Sequence, residues 1–144
     1  MGVPVRDQIA ATAAAALAVT MLGACTARPS TQLSSTASVT VNGNDTKFNV
    51  VKCGQREWTR TIDIGGDFAG AKVIVDERAE PVTAESVHIR NLGGFTGMYS
   101  RGSEGDAETS LSGDRFTISG TAHGYKADKP NEPATATFKI VTAC

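Results

Sequence analysis

Two features of the chain beyond residue 24 predict an all-β domain, either an antiparallel β-sandwich or a small open barrel, of about seven to eight strands. Apolar residues recur at every second position in several short segments, which is the spacing of strands with one buried face. Between those segments lie turns rich in glycine, asparagine and proline. The chain holds 15 glycines in 144 residues, and no long run of strong helix formers follows the first 24. One disulfide is expected to staple the fold, and the sandwich is the favoured arrangement.

The strands can be justified in order. Val39 and Val41 alternate with polar neighbours and precede Asn42-Gly43. That pair suits a type I′ hairpin turn, which needs positive φ at both central residues. Residues 46–53 then read as the return strand. Phe48 and Val50 share one face, while Val51 falls on the other with Cys53, so either both faces are covered or a bulge intervenes. Trp58, Arg60, Ile62 and Ile64 alternate with Thr59, Thr61 and Asp63 up to Gly65-Gly66-Asp67, and Trp58 reads as a core or rim packing residue rather than a stacking platform. Val73-Ile74-Val75 is a continuous apolar run, as in a strand covered on both sides.

Asp76, Glu77, Glu80 and Glu85, with Pro81, make a solvated loop before a strand over residues 86–92. Gly93-Gly94 and Gly97 lack the lysine and serine of a phosphate loop and read as turn residues. A short segment begins at Met98-Tyr99, and residues 103–106 are again turn chemistry. Phe116 and Ile118 face inward on the next strand, which Ser112-Gly113-Asp114 introduces as a hairpin turn. After the loop Pro130-Asn131-Glu132-Pro133, the last strand alternates Ala134, Ala136, Phe138 and Ile140 with Thr135, Thr137 and Lys139. Cys144 keeps the parity of Phe138, so its sulfur is expected to face the core.

The first 24 residues carry a different signal. Residues 9–22 are apolar and mostly alanine, too short for a membrane span of about 20 residues but suited to a secretory leader. They end in Leu22-Gly23-Ala24-Cys25. A leucine three places before a cysteine, with two small residues between, resembles the lipobox of bacterial lipoproteins. That resemblance implies diacylglyceryl transfer to Cys25, cleavage after Ala24 and a mature chain that starts at Cys25. The expected organisation is a lipoprotein signal peptide over residues 1–24, a lipidated Ser/Thr-rich tether over 25–38 and a globular β domain over 39–144. Thr26, Ser30, Thr31, Ser34, Ser35 and Thr36 are candidate positions for O-linked sugars. A segment so poor in large apolar residues cannot bury enough surface to offset the entropy of ordering, and it should act as a spacer.

With Cys25 assigned to lipid, Cys53 and Cys144 remain, an even number in an exported chain. They are expected to pair, since neither lies in a C-x-x-C motif nor beside an activating group. Closing a loop of about 90 residues should contribute about 2–4 kcal/mol.

Segments along the whole mature chain carry a family likeness. Val50-Val51-Lys52-Cys53, Ile62-Asp63-Ile64-Gly65-Gly66, Phe116-Thr117-Ile118-Ser119-Gly120-Thr121-Ala122-His123-Gly124 and Phe138-Lys139-Ile140-Val141-Thr142-Ala143-Cys144, with the lipobox and the hydroxyl-rich spacer, resemble the mycobacterial nineteen-kilodalton lipoprotein antigen family. The resemblance implies a cell-envelope lipoprotein, often glycosylated, whose acylated amino terminus is sensed by host innate receptors and whose domain has no established catalysis.

The residues themselves offer little to an enzyme. Nucleophilic catalysis needs a base beside the nucleophile, and the two histidines, His88 and His123, lie in no recognisable motif. Their 35-residue separation is also a poor zinc signal. Glu104, Asp106 and Glu108 are the best metal candidates, alternate carboxylates on a strand, but an acidic solvated edge accounts for them as well. No cofactor or metal is expected. Net charge is −1 without a polybasic run, which argues against nucleic acid.

The expected partners are therefore the membrane, through acylated Cys25, and a macromolecule engaged by the domain: a host receptor, a cell-wall polymer or a membrane protein. The expected location is the extracytoplasmic face of the cell membrane. The alternative is a carrier of lipid or another apolar molecule, which would need an apolar pocket of several hundred cubic ångströms.

Overall fold

A computed structural model describes Gly2 and residues 36–144. The described residues form ten strands: β1 (Ala37–Val41), β2 (Asn44–Phe48), β3 (Val51–Arg56), β4 (Thr59–Gly65), β5 (Gly70–Asp76), β6 (Thr83–Leu92), β7 (Phe95–Ser100), β8 (Ala107–Ser112), β9 (Arg115–Lys126) and β10 (Lys129–Ala143). All pairings are antiparallel, in one sheet of order β2-β1-β10-β9-β7-β6-β5-β4-β3. Strand β8 adds to β9 alongside β7: β7 pairs with residues 123–126 of β9 and β8 with residues 115–120. The all-β class is as the sequence predicts, in its barrel-like form, with ten strands rather than seven or eight.

The sheet coils because its apolar residues face one way and no helix among the described residues covers them. Val39 and Val41 from β1, Ile62 and Ile64 from β4, Val73 and Val75 from β5, Phe116 and Ile118 from β9, and Phe138 and Ile140 from β10 all lie in a single buried cluster. Val87 and Ile89 of β6 and Phe95 and Tyr99 of β7 belong to it as well. Covering that face from within brings the two ends of the sheet together. The Phe48 ring at the end of β2 approaches Gly65 at the end of β4 so closely that a Cβ there would meet it at 2.9 Å, and Gly65 has φ +80° besides. Only glycine meets both conditions without strain.

Where the strand count departs from expectation, the causes are local. Residues 46–53 are not one return strand. The chain leaves β2, paired with β1, crosses at Asn49-Val50 and enters β3, paired with β4, at the opposite end of the sheet order. The change of parity between Phe48 and Val51 is therefore a change of sheet edge, neither a bulge nor a doubly covered strand. The tenth strand, β8, has no fully buried residue, so it carries no strong apolar alternation to read. β1 starts at Ala37, which is buried and pairs with Phe48 and Thr142, so Ala37 and Ser38, placed by the sequence at the end of the spacer, belong to the sheet. The expected loop at residues 130–133 lies within β10, where the register with β9 shifts between Lys129 and Pro133.

Other expectations hold. Asn42 (φ 48°) and Gly43 (φ 82°) both take the positive φ that the β1–β2 turn requires. Trp58 does not: it is 60% exposed, because the β3–β4 turn carries it beyond the inward row of Ile62 and Ile64.

Cys53 of β3 and Cys144, just after β10, form a disulfide with Cα atoms 6.0 Å apart. Cys144 packs half-buried against the core, as its parity with Phe138 implies. β3 ends the sheet on one side, and β10 lies two strands in from the other end. The bond thus ties the seam across which the sheet closes, spanning 91 residues of sequence. Replacing both cysteines by alanine should lower the unfolding free energy by about 2–4 kcal/mol, seen as a lower urea midpoint. An unchanged midpoint would show that the closed sheet does not depend on the bond.

Candidate functional site

The residue expected to carry lipid, Cys25, the expected cleavage motif Leu22, Gly23 and Ala24, and the candidate hydroxyl positions Thr26, Ser30, Thr31, Ser34 and Ser35 lie outside the described residues. Thr36, the last of the candidate glycosylation positions, is exposed immediately before β1. What can be built from geometry is the surface where the chain enters the domain, and the outer faces of the sheet.

At the entry, β1 turns its outward side chains to β2. Ser38 and Thr40 both donate hydroxyl hydrogen bonds to Asp45 Oδ1, that of Thr40 at 3.1 Å. The Ser38 bond first, and the Thr40 bond after it, hold the Asp45 carboxyl below the ordinary aspartate range. An open groove of about 570 Å³ lies beside this point, lined by Thr36, Ser38, Lys47, Asn49, Asp114 and Arg115 among others. Close to it the Asn49-Val50 crossing meets the β4–β5 turn, where Gly65 N–H donates to the Val50 carbonyl at 2.9 Å. Val50 is 53% exposed there, and Phe68 in the adjoining turn is 83% exposed.

A second open groove, about 620 Å³, runs between Pro81, Val82 and the outer side of β8 and β9, where Thr109, Ser110, Thr117 and Ser119 line it. Its donors and acceptors are hydroxyls, with Glu108 and Lys139 as the charged members. A smaller pocket lies against Met98, Ser103, Glu104 and His123. The three carboxylates named from sequence do not converge on one strand: Glu104 and Asp106 precede β8 and only Glu108 lies within it, exposed. Among the described residues, no three side chains drawn from His, Cys, Asp and Glu come together.

The two histidines, unremarkable in the sequence, become neighbours of a common residue. His88 of β6 and His123 of β9 are each registered opposite Met98 of β7, one on either side. The signal for this lies in the strand register, which spacing along the chain does not reveal.

Two ion pairs brace β4, Arg90–Asp63 on its outer face and Arg60–Glu77 at the end of its inward row, where the Arg60 guanidinium also stands 5.8 Å from the Phe116 ring centroid. Arg60 Nε meets Glu77 Oε1 at 2.8 Å, with Gln55 Nε2 donating to the other carboxylate oxygen of Glu77 at 2.7 Å. Arg90 spans from Asp63, at 3.3 Å, to the Gly66 carbonyl, fixing the turn that carries Phe68. These contacts order turns and edges.

The sequence matches, over residues 30–144, the family model described as Mycobacterium 19 kDa lipoprotein antigen. The chain belongs to this family. Relatives of the 19 kDa lipoprotein antigen chain include a protein named as a lipoprotein from Mycobacterium avium subsp. hominissuis, 63% identical over 98% of each chain. One of the same description from Mycobacterium indicus pranii is 64% identical over 92% of this chain and 95% of its own. More distant is a protein named as the lipoprotein LppE of Mycobacterium tuberculosis, at 30% identity over 75% of this chain and 77% of its own. The mycobacterial lipoprotein family inferred from short segments is thus the family of the chain.

The hydrogen-bonded Asp45 gives a measurable consequence at the domain entry. A folded-state value below the unfolded one stabilises the fold above the unfolded pKa, and that contribution is lost as pH falls through the folded value. An NMR titration should place the Asp45 carboxyl below the ordinary aspartate value of about 3.9, and S38A should move it upward. A midpoint unaltered by S38A would remove the assigned cause.

Proposed function

We propose that this member of the 19 kDa lipoprotein antigen family is exported, cut after Ala24 and acylated on Cys25. It then stands on the extracytoplasmic face of the cell membrane, joined by a spacer over residues 25–36. Without catalysis of its own, it presents its β domain to a macromolecule: a host receptor, a cell-wall polymer or a membrane protein. The hydroxyls from Thr26 to Thr36 are the positions we assign to any O-linked sugar.

The observation that carries this reading is the filled interior of the domain. Phe95, Phe116, Ile62, Ile64, Ile89, Ile118 and Ile140 are all fully buried and meet inside the coiled sheet, leaving recognition to the outside. The grooves described above are open and mix polar with apolar lining, unlike an enclosed apolar cavity. That arrangement gives less support to the carrier alternative, which needs an enclosed apolar pocket. The family description and the names of the relatives support the lipoprotein part directly.

Two acyl chains make anchoring stable, at about 0.8 kcal/mol per buried methylene. In a mycobacterial host, the wild-type chain should therefore fractionate with membranes and take up labelled palmitate, while C25A should lose the label and appear in the soluble fraction. A C25A chain that still partitions wholly with membranes, or a wild type without fatty acid, would contradict the reading.

A further inference from the structure

The row formed by His88, Met98 and His123 is the feature that neither the fold nor the proposed function uses. The chain has two histidines and three methionines; two of those methionines, Met1 and Met21, precede Cys25. All the imidazoles and the one thioether of the β domain thus fall on a single line across three neighbouring strands. His88 pairs with Met98 between β6 and β7, and Met98 pairs with His123 between β7 and β9. Residues directly opposite in antiparallel strands share a face. That face is the outer one: Val87 and Tyr99, on the other parity, are buried in the core, whereas Met98 is 49% exposed. Neighbouring Cβ atoms in such a row are about 4.5–5.5 Å apart, so each imidazole stands within side-chain reach of the sulfur between them.

Two further observations point to a ligand here. His123 Nε2 is buried without a hydrogen-bond partner, one of two such side-chain atoms among the described residues, the other being Thr142 Oγ1. Leaving a buried polar atom unpaired is unfavourable, so its retention needs a reason. The pocket of about 370 Å³ against it also holds Met98, Ser100, Ser103 and Glu104. Met98 Sδ is 3.4 Å from Ser100 Oγ, which donates to it, so the thioether is held on the Ser100 side of its strand rather than lost in the core. His88 is exposed on the opposite flank of Met98, and rotation about its side-chain bonds would bring the imidazole over the sulfur. Lys72 lies beside His88 in the next register position and is itself registered against Asp63, Thr135 lies beside His123, and Glu104 offers a compensating charge near His123.

We propose that His88, Met98 and His123 form a binding site for monovalent copper on the outer face of the domain. The donor set selects the metal. Thioether sulfur favours Cu(I) over hard cations and imidazole suits copper, whereas zinc takes its sulfur as cysteine thiolate, which this row lacks. Calcium and magnesium need oxygen ligands that this row lacks. No oxidation or reduction accompanies binding: the metal arrives and stays as Cu(I), displacing any proton carried by the imidazoles.

The test uses the full chain carrying C25S, so that no free thiol competes, with Cu(I) supplied in ascorbate and held by the chromophoric chelator bicinchoninate. The chain should withdraw one equivalent of copper from the chelator. M98L should weaken binding at least about tenfold, as should H123Q, given that even indirect partners of a metal ligand contribute 10–100-fold. Met98 is half exposed, so M98L is expected to keep the wild-type melting temperature, and a shifted melting curve would be read out alongside. Silver(I), a redox-inert substitute, should move the Met98 methyl NMR resonance at one equivalent. The assignment is overturned if the chain takes no copper from the chelator, if M98L binds as tightly as the wild type, or if zinc binds while silver leaves the Met98 methyl unmoved.

Discussion

A sheet that is apolar on one face only, in a domain whose described residues include no helix, must cover that face with itself. This constraint governs most of what the β domain does. It requires the end of β2 to approach the β4–β5 turn, which glycine at position 65 permits. It makes β9 and β10 long, because β9 is shared along one side by β7 and β8 and β10 bridges β9 and β1. Closure by coiling leaves its weak point at the seam, since the terminal strands of the order do not form a ladder with each other. The Cys53–Cys144 bond lies across that region. A covalent tie there limits how far the unfolded chain can expand, which matters for a domain whose core is built largely from valine, isoleucine and alanine with few aromatics.

Much of this was legible in the sequence because the relevant signals are local. Alternation at Ile62 and Ile64, at Phe116 and Ile118, and at Phe138 and Ile140 fixes which side chains turn inward, and Asn42-Gly43 fixes the first hairpin. Cysteine pairing followed from compartment and number. What escaped is information held in register or in edges. β8 is held by its ladder with β9 and by the Thr109 hydroxyl, which accepts from Ala84 N–H, and its side chains carry no strong apolar alternation. The passage from β2 to β3 looks like a single strand with a slip of parity, because a change of sheet edge leaves no mark except that slip. Trp58 follows the right parity but sits past the end of the core. His88 and His123, 35 positions apart, meet around Met98 only through two successive strand pairings.

The division of labour across the chain follows from the same physics. Once the interior is filled by the residues that close the sheet, selectivity has to reside on outward side chains, in turns and in open grooves. The entry point gathers a hydroxyl–carboxylate network, a groove and the exposed Val50 and Phe68 within a short reach of Thr36. Under the proposed tethering, residues close to that point meet the bilayer or its neighbours most often. The outer row of imidazoles and thioether lies on other strands, so contact at the entry and metal at the row need not compete. Membership of the 19 kDa lipoprotein antigen family gives this surface its setting in the mycobacterial envelope.

The account rests on a stapled β domain joined to lipid through a single sulfur. Intact-mass analysis of the protein extracted from its native envelope, before and after reduction, tests both halves at once. The predicted result is a chain that begins at Cys25, carries the added mass of diacylglycerol, and gains two hydrogens on reduction as Cys53 and Cys144 separate. A chain that retains residues 1–24, or one that carries no acyl mass and is unchanged by reductant, would contradict it.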